Sequence, residues 1–122
     1  MRLAQVRPTT WAHSMNTPVA TLQVVEVAAD GSRIPLSIEL GQPRPDGRGA
    51  WACRVSVDGC DHYAGDIYGE DSMQALCLGL RMVRLQLELA LARGSRLVNA
   101  DADTEFPWQA YFEGGPNDVP SR

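Results

Sequence analysis

Between Asp71 and Gly94 the chain runs for about 22 residues without a proline, and this segment restricts the available folds more than any other. Asp71 is a good N-cap, and Gln74, three residues on, can close a capping box. Gly94 suits the left-handed position past a helix C-terminus. The segment is read as one long helix, ~33 Å at 1.5 Å per residue. Plotted at 100° per residue, Met73, Leu76, Leu80, Val83, Leu87, Ala90 and Leu91 make one apolar face, expected to cover a sheet. Ala75, Leu78, Met82, Leu85 and Leu89 make a second stripe well round from the first. Only Gln74, Cys77, Arg81, Arg84 and Glu88 give a continuous polar arc. So wide an apolar circumference calls for cover on two sides, supplied by the chain's own ends or by another subunit.

The residues before this helix read as strands. Residues 21–28, TLQVVEVA, are β-branched, but the adjacent Val24 and Val25 break the period of two and predict a bulge or two-sided burial. Asp30-Gly31 is a hairpin signal. Beyond it Ile34, Leu36, Ile38 and Leu40 alternate with polar positions, and Pro35 places this strand at an edge or marks its start. GQPRPDGRG, residues 41–49, reads as a loop stiffened by Pro43 and Pro45. Trp51, Cys53, Val55 and Val57 then share one face, with Ala52, Arg54 and Ser56 on the other. Asp58-Gly59 offers a second turn, and residues 61–68 return as a strand with Tyr63 and Ile67 on one face. The fold expected is α+β: a four-stranded antiparallel β-meander packed on one long α-helix, with a short additional C-terminal strand at residues 96–99. Three segments follow: an N-terminal arm over 1–18, a single domain over 19–112 and a Gly/Pro-rich tail over 113–122. Within the arm, residues 3–6 are expected to dock as an extended strand on the same molecule or a partner, and Met15 is a second candidate start. In the last part of the domain DADTE and FPWQAYF read as irregular or extended, with Trp108, Tyr111 and Phe112 docked on the body.

Composition narrows function by exclusion. A chain of 122 residues is expected to form one domain. Apolar residues at 44% against 21% charged fit a chain that folds rather than one that stays disordered. All 11 basic residues are arginine, so lysine Schiff-base or general-base chemistry is excluded. The net charge of −4, with arginines scattered along the chain, argues against general nucleic-acid binding. No N-terminal apolar run suits a secretory signal and no stretch suits a membrane span, which makes a cytoplasmic location the expectation. Three sparse cysteines agree with reduced thiols.

The succession LGQPRPDGRGAWACRV, a strand, GEDSMQALCLGLRMVRLQLELAL and then Phe106-Pro107 resembles a family of small bacterial domains of unknown function. That family has a G-x-P-x-P turn, a W-x-C strand, a D-S-x-Q-A-L-x-L helix start and a late F-P. The resemblance spans residues 34–108, and its most specific element is the helix start at Asp71, Ser72, Gln74, Ala75, Leu76, Leu78 and Leu80. It implies an antiparallel sheet with a long helix and transfers no catalytic residue.

Individual motifs mostly have structural explanations. Cys60-x-His62 with Cys53 lacks a fourth zinc ligand, and Cys53 lies on an apolar face where a thiol acts as a small hydrophobe. Asp101, Asp103 and Glu105 imitate a calcium loop, but Phe106 stands where glycine is needed and Phe112 where glutamate is. Cys77 with Arg81 one turn later could favour a thiolate, yet neither His13 nor His62 has a context that ties it to Cys77. Asp58 and Asp71 have turn and cap roles. No cofactor, metal or catalytic group is assigned. The leading expectation is a non-enzymatic protein that acts through protein–protein contact and self-associates as a homodimer, with Ala75, Leu78, Met82, Leu85 and Leu89 as its interface. Its acidity also leaves room for a basic protein partner. A small-ligand domain is the alternative, with Arg44, Arg48, Trp51, Arg54, Tyr63 and Tyr68 bordering a pocket between sheet and helix. A small enzyme with Cys/His chemistry stands third.

Overall fold

The structure is a computed structural model that describes residues 17–60 and 62–112. The arm over 1–16, including residues 3–6, and the tail over 113–122 lie outside the described residues. Five strands follow in order, β1 (Pro18–Val27), β2 (Arg33–Gly41), β3 (Arg44–Pro45), β4 (Trp51–Asp58) and β5 (His62–Gly69). Then come the long helix α1 (Ser72–Ala92), strand β6 (Arg96–Asn99) and a short helix α2 (Trp108–Phe112). The fold is α+β, an open antiparallel sheet on which one long helix lies.

Spatially the sheet runs β5, β4, β2, β1, β6, with β3 beside β4 where β2 leaves off. The turn chemistry sets the registers. Asp30 Oδ1 accepts from Ser32 N–H at 2.9 Å in the β1–β2 turn, where Gly31 takes φ +90°. Asp46 Oδ1 accepts from Arg48 N–H at 2.7 Å and from Ala50 N–H at 3.1 Å. This second turn draws Arg44 and Pro45 into the sheet opposite Ala52 and Trp51, so the segment over 41–49 is part strand. Of the two readings of Pro35 the second holds: β2 is interior, and Pro35 lies near its start, where β2 pairs with β1 but not yet with β4, whose pairing begins at Ser37. The Val24–Val25 pair is two-sided burial, with Val24 on the core face and Val25 beside Val98 on the other. The irregularity in β1 falls at Pro18/Ala20 instead.

Because β5 and β6 occupy opposite edges and point the same way, α1 must cross the sheet between them. Its buried residues are Ala75, Gly79, Val83, Leu87 and Ala90. This corrects the expected face: Met73 and Leu80 are exposed, and Ala75, expected on the second stripe, is fully buried. The reason is steric. A Cβ on Gly79 would lie 2.9 Å from Cys53 Sγ and 3.0 Å from Leu40 Cδ1, so the helix axis comes closest to the sheet where α1 has no side chain. Gly69 serves the same end, since a Cβ there would lie 2.5 Å from Ala75 N. Val24, Leu36, Ile38, Leu40, Cys53, Val55, Val57 and Leu97 form the sheet's contribution to the core. Each large side chain so buried stabilises the fold by roughly 1.5–3 kcal/mol.

Residues after β6 complete the body. Phe106 is buried in the core, and Trp108 and Phe112 pack against it. Residues 108–112 are helical, where irregular or extended structure was expected; Tyr111 is exposed but its ring lies 4.8 Å from that of Phe106. The acidic stretch folds back so that Asp103 accepts from Arg33 at 2.8 Å.

Candidate functional site

Seating α1 on its glycine leaves the second stripe turned toward the β5 side of the sheet. Leu85 lies about 120° round the helix from Gly79 at 100° per residue. Leu85 is 43% and Leu89 44% exposed, while Leu78 and Met82 are half-buried. Leu78, Met82 and Leu85, together with Ile67 of β5, line an open groove of about 550 Å³, rimmed by Arg81, Arg84 and Glu88. Arg84 Nε donates to Glu88 Oε2 at 3.1 Å, and its guanidinium lies 6.0 Å from the centre of the Trp108 ring. Three of the five expected interface residues thus line one groove, Leu89 stands exposed one turn beyond Leu85, and Ala75 belongs to the core.

The opposite flank of α1 is the one the C-terminal residues cover. Tyr111 and Phe112 stand over Leu80 and Val83 and, with Leu22, Ile38 and Leu40, leave a narrow apolar cleft of about 170 Å³. The described chain therefore closes one side of the helix and leaves the other open.

The six residues expected to border a pocket separate onto both faces of the sheet. Trp51 and Tyr63 face α1 and pack against the core. Tyr68, Arg44 and Arg54 lie on the reverse face, and Arg48 is exposed in the turn after β3. The reverse-face group is organised by Asp66. Its Oδ2 accepts from Arg44 Nη2 at 2.9 Å, whereas its Oδ1 is buried without a hydrogen-bond partner among the described residues, 3.8 Å from Arg54 Nη1. Counting outward from the Asp58-Gly59 turn sets Asp66 directly opposite Arg54.

Glu26 was missed at the sequence level. It is 1% exposed on the core face of β1, and both its oxygens accept from Arg93 Nη2 at 3.1 Å while Ser95 Oγ donates to Oε2 at 2.6 Å. A buried carboxylate is tolerated only with such partners, and these fasten the end of α1 to β1. The signal was Glu26 falling in the apolar alternation of Leu22 and Val24.

The thiols fall apart in space. Cys53 is buried, donates to Gly41 O at 3.3 Å, and burial with the nearby Asp66 charge pushes its ionisation upward. Cys60 and Cys77 are exposed on a turn and on α1, and His62 lies 3.9 Å from Asp58 at the start of β5. Among the described residues no three His, Cys, Asp or Glu side chains converge to hold a metal ion, and no helix is long and apolar enough to cross a membrane.

No curated protein matches the chain, and neither does any solved structure. A family model does match, and it spans residues 22–108, from the core half of β1 to the first residue of α2, taking in the glycine-seated helix, the Glu26 clasp and the groove. By that match the chain belongs to the family described as a domain of unknown function, DUF6968.

Proposed function

We propose that this domain acts by binding protein, and that its first partner is a second copy of itself, held through the open flank of α1. The observation that carries this reading is Leu85, more than two-fifths exposed, at a groove floored by Leu78, Met82 and Ile67, with the equally exposed Leu89 one turn further along α1. Single exposed leucines need no explanation, but a contiguous apolar strip with a polar rim has the anatomy of an interaction surface. A closed two-fold dimer is the commonest way to cover such a strip. The reading is non-enzymatic, since the thiols and imidazole that chemistry would require are dispersed, and a reducing cytoplasm of a bacterium suits three unpaired cysteines.

Sedimentation equilibrium of the full chain tests it. The wild type should be dimeric at high micromolar concentration, and Leu85→Glu with Leu89→Glu should be a folded monomer. A wild type that stays monomeric, or a double variant that stays dimeric, defeats the reading.

A further inference from the structure

The chain treats the two edges of its sheet differently. At β6, Val98 bridges to Glu105, Asn99 N–H donates to Thr104 O at 2.8 Å and Phe106 N–H donates to Leu97 O at 2.9 Å, so the following segment closes that edge. At the other edge β5, eight residues long, pairs only with β4 among the described residues. An unpaired edge is a template for another strand, and monomeric proteins blunt it with lysine, proline, a bulge or a cover. The sequence HYAGDIYG has neither lysine nor proline, and its register against β4 runs unbroken from Trp51↔Gly69 to Asp58↔His62. Its one carboxylate, Asp66, is engaged by Arg44 on the reverse face. The edge runs for ~26 Å at 3.3 Å per residue. That matches the ~28 Å breadth of a patch with the ~800 Å² each partner of a standard interface buries.

We infer that β5 pairs antiparallel with β5 of a second copy, so that one sheet continues through both protomers while their α1 flanks meet above the join. This deepens the self-association proposed above and rests on it. The charges on the rim choose a second copy over a foreign strand. Arg81 precedes Leu85 by four residues and Glu88 follows it by three, both on the outer rim of the groove. A two-fold axis near Leu85 runs the helices antiparallel and sets Arg81 of each protomer toward Glu88 of the other, whereas a parallel arrangement would oppose like charges. The same axis, perpendicular to the sheet, is the one that pairs β5 with itself antiparallel. Strand edge and helix flank thus ask for one symmetry operation, and the groove is its own complement.

Amide hydrogen exchange of the full chain, followed across residues 62–69 as concentration rises, decides the matter together with a second double variant, Ala64→Lys with Tyr68→Lys. Both positions are exposed on β5 and away from the α1 flank, and edge lysines repel their own copies. Exchange over β5 should slow about tenfold once concentration reaches roughly 100 times the dimer Kd, and the lysine variant should remain monomeric with wild-type circular dichroism. Protection that does not depend on concentration overturns the pairing and assigns the cover to the chain's own residues. A lysine variant that stays dimeric, with unprotected β5, also overturns it while leaving the helix-flank reading intact. A monomeric wild type overturns both. Should the lysine variant fail to fold, the concentration dependence of wild-type exchange still decides.

Discussion

A methyl group at position 79 would meet Cys53 Sγ at 2.9 Å, Leu40 Cδ1 at 3.0 Å and Val55 Cγ2 at 3.5 Å, all three of them buried core residues with little room to yield. Gly79 is costly within a helix by about 1 kcal/mol relative to alanine. The close approach it allows outweighs that, because it brings Val83 and Leu87 onto the sheet. Alanine at this position sets a gain in propensity against overpacking and should come out near neutral or slightly destabilised. Valine adds bulk in a site without room, and Gly79→Val should lose about 1–3 kcal/mol, read as a lower urea midpoint with an unchanged m value. The same residue explains where the helix face was misjudged from sequence. A periodicity argument weighs side chains by apolarity, and glycine carries no weight in it. The face centred on Leu76, Leu80 and Leu87 was therefore placed roughly 55° away from the buried arc at 100° per residue. Glu26 was half legible for a related reason. Its place in the alternation of β1 showed a carboxylate entering the core, but its partner Arg93 is 67 residues away and only the fold brings the two together.

Elements whose signals are local were readable. Both ends of α1 and the hairpin turns depend on bonds spanning a few residues. Asp71 Oδ1 accepts from Gln74 N–H at 2.7 Å, and Gln74 Oε1 in return accepts from Glu70 N–H at 2.7 Å, one residue earlier than the usual box. Asp71→Ala should cost about 1 kcal/mol, whereas Asp71→Ser, which keeps an acceptor, should cost only a fraction of that; thermal melts of the pair provide the comparison. The turn aspartates act similarly. The Asp30 carboxyl is held below its ordinary value by the Ser32 hydroxyl and N–H, and the Asp46 carboxyl by the Arg48 N–H. Depressed carboxyl values place this support above the ordinary carboxylate range, to be lost as pH falls through the lowered values, so the turns persist at neutral pH. β3 and α2 were not readable. Two residues joining an edge of β4 leave no periodicity, and a five-residue helix is held by the burial of Trp108 and Phe112 against the core rather than by its own propensity.

At the scale of the molecule, the meander was legible because successive long strands pair with one another through turns marked in the sequence, even where β3 lies within the β2–β4 connection, while the course of residues 100–112 was not, because it is decided by contacts made only after α1 has crossed the sheet. That course matters for function. The segment closes the β6 edge and one flank of α1, and so concentrates the unsatisfied surface on the other side, where the β5 edge and Leu78, Met82 and Leu85 lie together. A surface of that kind links stability to concentration, since a dimer that unfolds to two chains is favoured by mass action. Unfolding enthalpy near 0.7 kcal/mol per residue gives ~170 kcal/mol for two chains of 122 residues. With an enthalpy of that size, each tenfold rise in protein concentration should raise the thermal midpoint by about 3 °C above the dimer Kd. Differential scanning calorimetry over two decades of concentration should therefore show a rise of about 6 °C for the wild type. Leu85→Glu with Leu89→Glu should show a midpoint independent of concentration, because a monomer that unfolds to one chain has no mass-action term. A wild-type midpoint equally indifferent to concentration would mean that the open flank and edge are not joined to a second copy.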